Sequence, residues 1–127
     1  MNVVDSSGWL EYFAEGPNAD FFAAAVENVE ELIVPVISIY EVFKRVSQQR
    51  SEGDGLQAIA TMEQGQVVML DTTLALSAAK ISMDLRIPMA DSIILATARA
   101  YNATLWTQDA DFEGVAGAEY IIKGNPN

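Results

Sequence analysis

The sequence predicts an α/β fold in three layers, α/β/α, on a mostly parallel central sheet of four to five strands. Three observations predict it. Short apolar runs at Met1 to Val4, Leu32 to Ile37, Gln66 to Leu70, Thr104 to Thr107 and Tyr120 to Ile122 have the length of strands. Longer stretches of helical periodicity separate them, and strands alternating with helices pair in parallel with both faces covered. The 127 residues, half of them hydrophobic, suit a single domain over 1–127 that buries roughly two-thirds of its unfolded surface.

Met1 to Asp5 reads as a short buried strand that ends on a carboxylate. Ser7 is placed to cap a helix carrying Trp9, Leu10 and Phe13 on its apolar side, and Gly16-Pro17 breaks that helix. Phe21, Phe22, Ala25, Val26 and Val29 mark a second amphipathic helix. Leu32 to Ile37 is the next strand, and Pro35 inside it points to a sheet edge, because proline cannot donate to a ladder. Ser38 then caps a helix with Ile39, Val42, Phe43 and Val46 inward and Glu41 in its first turn. Ser51 to Gly55 is a turn, followed by a short helix to about Met62. Gln66 to Leu70 is a strand ending at Asp71, and Thr72 caps the helix through Ala78, Ile81 and Leu85. Pro88 interrupts before a helix from Met89 to Tyr101 with Asp91 near its start. Thr104 to Thr107 is a strand, Gln108 to Gly117 a loop or short helix, and Tyr120 to Ile122 the last strand.

Histidine and cysteine are both absent. That excludes a Ser-His-Asp triad, a thiol nucleophile, an imidazole acid or base, and an ordinary zinc site. Chemistry run by hard cations on oxygen ligands remains available. No apolar run reaches the ~18 residues of a membrane helix. Met1-Asn2-Val3-Val4-Asp5 meets a carboxylate too early for a signal peptide, so a cytoplasmic protein is expected. Eighteen acidic against seven basic residues give a net charge of −11. Such a field repels nucleic-acid phosphates and favours metal cations or a basic protein partner.

Four carboxylates stand where an apolar stretch meets a polar break: Asp5, Glu41, Asp91 and Asp109. Asp5 and Asp109 follow predicted strands, and sites in parallel sheets form beyond the carboxyl ends of strands. Each also has a purely structural reading. Asp5 suits a turn or cap, Glu41 suits its own helix dipole, and Asp91 suits a cap over first-turn amides. Asp109, in Thr107-Gln108-Asp109-Ala110-Asp111-Phe112, equally suits an Asx-turn. The conjunction is more specific than any member, since carboxylates converging on one edge repel each other unless a cation neutralises them.

Asp5 at the end of the first strand, Ser38-Ile39-Tyr40-Glu41, Ala90-Asp91-Ser92-Ile93-Ile94-Leu95-Ala96-Thr97-Ala98 and the segment from Thr107 to Phe112 together resemble the PIN domain, in particular the VapC-type toxins of bacterial and archaeal toxin–antitoxin pairs. The likeness runs from Asp5 to Phe112, and its last two segments are the most specific. It implies a PIN-like fold and a Mg²⁺- or Mn²⁺-dependent endoribonuclease, usually a homodimer, held in check by a cognate antitoxin. Carried over by position, Asp5, Glu41, Asp91 and Asp109 are its catalytic, metal-binding quartet, with Thr107 and Asp111 supporting metal or phosphate. Lys44 and Arg45, one turn beyond Glu41, are candidates for RNA contact, and Arg86 and Arg99 are further ones. The acidic charge departs from that pattern, although it suits an antitoxin with a basic tail. Two other readings stand beside it. One is a PIN-like module that binds a partner without cleaving, with Phe13, Phe21 and Phe22 offering a groove. The other is a response-regulator receiver phosphorylated on Asp71, with Thr107 and Lys123 after later strands.

Overall fold

The computed structural model describes residues 1–124. Asn2–Val4 forms β1, Ser6–Phe13 α1 and Ala19–Val26 α2. β2 is Leu32–Pro35, followed by α3 at Val36–Gln49 and α4 at Glu52–Met62. Gln66–Val68 is β3, Thr72–Leu85 α5, Met89–Ala100 α6, Thr104–Thr107 β4 and Ala118–Tyr120 β5. Single 3₁₀ turns occupy Val29–Glu31 and Ala110–Phe112. All strand pairs are parallel, in the order β3-β2-β1-β4-β5.

Alternation along the strands divides the core into two layers. Val3, Ile33, Val68 and Leu105 point to one face, where Leu74 and Ala78 of α5 and Ile93 through Ala98 of α6 cover them. Val4, Leu32 and Val34 point to the other, against Trp9, Phe22, Val26, Val42, Ala58 and Met62 from α1 to α4. The three-layer α/β/α expectation holds, with five strands, all parallel, among the described residues.

Several local expectations are corrected. Pro35 marks no edge, because β2 lies between β3 and β1. Proline is tolerated there as the last residue of the strand, and its extended φ of −62° and ψ of 135° turn the chain into α3 as the N-cap. α3 therefore begins before Ser38, which is fully buried inside it, and Glu41 falls in the second turn rather than the first. Asp5, not Ser7, caps α1, and Asp71, not Thr72, caps α5, since a carboxylate reaches the exposed amides of the first turn. α4 starts at Glu52, capped by Ser51, so the expected turn is already helical. The last strand is Ala118–Tyr120, set by pairing with Leu105 to Thr107, and Ile121 and Ile122 lie beyond it.

Two predicted partner-groove aromatics belong to the core. Phe22 is fully buried, and Phe21 packs edge-on against it and tilts over Trp106, both centroids at 5.1 Å. Phe13 lines a groove of about 290 Å³ between α1, α3 and α4.

Candidate functional site

The sheet order fixes where a site can form. Connections from β1 lead to β2 and β3 on one side, and the crossover after β3 leads to β4 on the other side. The crevice beyond the carboxyl ends of β1 and β4 is thus the topological switch point, where ligands bind in open parallel sheets. Asp5 follows β1, and Asp109 follows β4 by two residues. The amino end of α6 brings Asp91 to the same place.

Asp5 is buried, 2% exposed, and three hydrogen bonds hold its carboxylate. Oδ1 accepts from the Gly8 amide at 2.9 Å and the Ser7 hydroxyl at 2.8 Å, while Oδ2 accepts from the Thr107 hydroxyl at 2.6 Å. The close seat depends on Gly8. A Cβ there would stand 2.6 Å from the Phe22 ring and 2.7 Å from Val4 Cγ1, both inside the core. Burial pushes the Asp5 carboxyl up to about 6, against its hydrogen bonds, with Asp109 adding repulsion.

Thr107 joins the two strand ends. Besides donating to Asp5, its Oγ1 accepts from the Asp109 amide at 2.9 Å. Asp109 in turn caps the 3₁₀ turn, its Oδ1 accepting from the Asp111 amide at 2.9 Å, which swings Asp111 back toward α6. Asp91, Asp109 and Asp111 thereby offer carboxylate oxygens within 4.8 Å of one another. Asp91 lies in the first turn of α6, where the helix dipole favours its charge. Burial nevertheless outweighs that, and with repulsion from Asp109, hydrogen bonding to Asp111 and repulsion from Asp111 and Asp5 it drives the carboxyl up to about 8. Among the described residues no Lys or Arg side chain pairs with any carboxylate, the one ion pair being the Met1 amino group with Glu31 at 3.5 Å.

Of the expected quartet, the structure gathers Asp91 and Asp109, adds Asp111 from the expected supporting pair, and sets Asp5 behind them through Thr107. Glu41 stands apart from the trio. It comes from α3, and its Oε1 accepts from the Ser6 hydroxyl at 2.6 Å, which ties it to the residue after Asp5. Thr107 is fully buried, with its hydroxyl spent on Asp5 and Asp109, so it holds carboxylates in place. Lys44 and Arg45 line an open groove with Ser6 and Glu41. Arg86 is exposed in the turn before α6. Arg99, two turns beyond Asp91 and about 12 Å along α6, reaches only the Ala116 carbonyl, at 3.5 Å.

Sequence reasoning overlooked a part-buried polar ring beside the site. Gln108, 6% exposed, donates to Glu11 at 3.4 Å and accepts from the Asn18 side chain at 2.9 Å, while the Asn18 amide donates to Glu11 at 2.7 Å. The ring fastens the residue before Asp109 to the α1–α2 connection. Its one sequence signal is a polar residue directly after a strand.

The receiver reading fails here. Asp71 spends its carboxylate capping α5, accepting from the Leu74 amide at 2.9 Å. The strand order also differs from the β2-β1-β3-β4-β5 of receiver folds.

The trio of carboxylates fits a hard divalent cation. It offers oxygen donors only, packed closely enough to raise the proton affinity of one member, with no basic side chain to balance them. A five-stranded parallel sheet in this order, with acids converging at its switch point, defines an α/β chain built around an acidic crevice.

The chain belongs to the PIN domain family, whose sequence profile matches residues 3–118. No curated protein matches it by sequence. Solved structures share its fold. A toxin–antitoxin complex from Klebsiella pneumoniae has 19% identity and a TM-score of 0.78, over 94% of this chain and 96% of that one. VapC20 of Mycobacterium tuberculosis, a sarcin–ricin loop cleaving toxin, has 13% identity and a TM-score of 0.75, over 92% and 96%. VapBC2 from Rickettsia felis, bound to a promoter DNA fragment, has 15% identity and a TM-score of 0.73, over 94% and 97%. Among the described residues no helix is long and apolar enough to cross a membrane.

Proposed function

We propose that this chain is a divalent-metal-dependent endoribonuclease, the VapC-type toxin of a toxin–antitoxin pair, acting in the cytoplasm. The observation that carries the reading is the convergence of Asp91, Asp109 and Asp111, backed by Asp5, at the switch point of a PIN-family sheet. Mg²⁺ or Mn²⁺ would be held by the trio, with Asp5 as a further or water-mediated ligand. The chemistry such an ion supplies is charge neutralisation at the scissile phosphate and acidification of water.

The chain's own residues do the rest. Thr107 keeps Asp5 and Asp109 in register, and the Gly8 amide and Ser7 hydroxyl hold the other Asp5 oxygen. Glu41, held by Ser6, would take the proton of the attacking water, a task that falls to a carboxylate in a chain without histidine. Lys44 and Arg45 offer positive charge beside Glu41 for flanking phosphates. An antitoxin with a basic tail would complement the charge of −11, and a homodimer is expected from the family.

The rival is a PIN-like module that binds a partner and cleaves nothing. The acidic charge favours it. Against it, three unbalanced carboxylates held together destabilise the chain, and a non-catalytic module has no use for that cost.

The test is incubation of the partner-free chain with a structured RNA pool in magnesium or manganese, beside EDTA and Asp5→Asn. Cleavage that disappears in both controls supports the nuclease. Cleavage that survives EDTA, or persists undiminished in folded Asp5→Asn and Asp91→Asn variants, refutes it.

A further inference from the structure

We propose that Tyr40 is a shelf on which an unpaired base of the substrate RNA stacks, next to the phosphates taken by Lys44 and Arg45. The inference rests on the nuclease reading and names the form of RNA its site accepts. Tyr40 is 62% exposed and is the one aromatic among the large hydrophobic side chains left open to solvent in the described residues. Lys44, one turn later on α3, holds its Nζ 5.8 Å over the ring centroid, a contact that braces a ring still mostly open to solvent. Both residues line an open groove of about 360 Å³ together with Ser6, Glu41, Arg45 and Gln48. The Ser6 hydroxyl bonds Glu41 and Ser6 follows Asp5 in the chain, so the groove includes the residue next to the Asp5 seat.

Magnitudes decide what the groove reads. It carries two of the chain's seven basic residues, against a net charge of −11. A phosphate contact on a single strand contributes roughly fourfold in affinity at physiological salt, so two contribute roughly fifteenfold. One base stacked on an aromatic ring contributes about fivefold to a hundredfold. Stacking is therefore comparable to the charge contribution, from roughly a third of it to several times more, and it requires a base that is not paired. Because every base has a π-face, the shelf selects an unpaired stretch rather than a sequence.

The experiment uses the full chain carrying Asp91→Asn, so that the RNA stays intact, and follows binding of a labelled random-sequence single-stranded RNA dodecamer and of an RNA duplex. The single strand is expected to bind about tenfold more tightly than the duplex. Adding Tyr40→Leu should weaken single-strand binding about tenfold without changing its salt slope, and Tyr40→Trp should restore it. Lys44→Ala should instead lower the salt slope by about 0.7. Melting temperature, and in a Tyr40→Leu chain with Asp91 intact the manganese response, should stay at wild-type values. The shelf is overturned if Tyr40→Leu binds as tightly as its parent, if duplex binds as well as single strand, or if no RNA binds at all. Unchanged binding in Tyr40→Leu alongside metal-dependent cleavage by the wild-type chain would sink the shelf alone and leave the groove to a protein partner. Absence of cleavage would count against the nuclease, while the binding series would still decide the shelf.

Discussion

Replacing Asp91 with asparagine should make the metal-free protein more stable and remove most of its response to divalent ions. The Asp91 carboxyl is lifted from 3.8 to about 8, first by burial and then by Asp109, Asp111 and Asp5. At pH 7 the folded chain must either charge that group against its neighbours or protonate it, and roughly three units at 1.36 kcal/mol each set a ceiling of about 4 kcal/mol. The side chain is only half-buried, and solvent screening brings this to about 2 kcal/mol. Loss of a negative charge from the first turn of α6 takes back about 0.5 kcal/mol. Asparagine also supplies an amide that can donate to Asp109 or Asp111. The net gain of about 1.5 kcal/mol corresponds to a melting temperature roughly 4–6 °C higher in a domain of this size. The assay is thermal unfolding at neutral pH in EDTA and then in millimolar manganese. Manganese should stabilise the wild type by about 2–3 kcal/mol at a hundredfold excess over Kd, raising its midpoint, and move the variant little. A variant that melts below wild type in EDTA, or that gains as much from manganese, would refute the claim that Asp91 is a strained ligand awaiting a cation.

The same shifts give a pH dependence. Asp5 near 6 and Asp91 near 8 both lie above their unfolded value of 3.8. Each stabilising contribution is therefore complete below the unfolded value and is lost as pH rises through the folded one. Through these two groups metal-free melting temperature should fall between about pH 4 and 8, with Asp91→Asn flattening the part above about pH 6, and a wild-type profile flat from about pH 6 to 8 would contradict this. Thr107→Val removes a 2.6 Å donor from the buried Asp5 carboxylate, so it should cost about 1.5–3 kcal/mol and weaken manganese binding, as calorimetry can read. Gly8→Ala forces a methyl against Phe22 and Val4 and should cost about 1–3 kcal/mol in urea unfolding. Retained stability there would mean that α1 can shift without disturbing the Asp5 seat.

The fold was legible wherever period and length agree. Strands flanked by Gly, Pro or Asp, and helices as regular as Ser92 to Ala98, leave little room for another reading. The misreadings cluster at element starts, where a side chain's reach, not its type, decides the cap. Asp5 and Ser7 are both good caps, and only the seat of Gly8 against Phe22 shows which one reaches the amides. Pro35 misled for a related reason. A ladder tolerates proline at the end of an interior strand when the chain leaves the sheet there, and sequence cannot tell that position from an edge.

The candidate site was legible as a set of acids but not as a geometry. That Asp111 joins Asp91 and Asp109, while Glu41 stays with Ser6, follows from one 3₁₀ turn closed by the Asp109 cap and from the register of β1 against β4. Neither leaves a trace in composition or spacing. The net charge of −11 misleads in the same way, because it averages over a surface on which the groove beside Glu41 carries Lys44 and Arg45 together. A substrate meets the local field within about a Debye length, some 8 Å, and not the sum over the chain. A cation in the crevice and two basic residues at the groove would cancel most of the negative charge of the site's own carboxylates, so RNA would meet a far weaker repulsion there than the net charge implies.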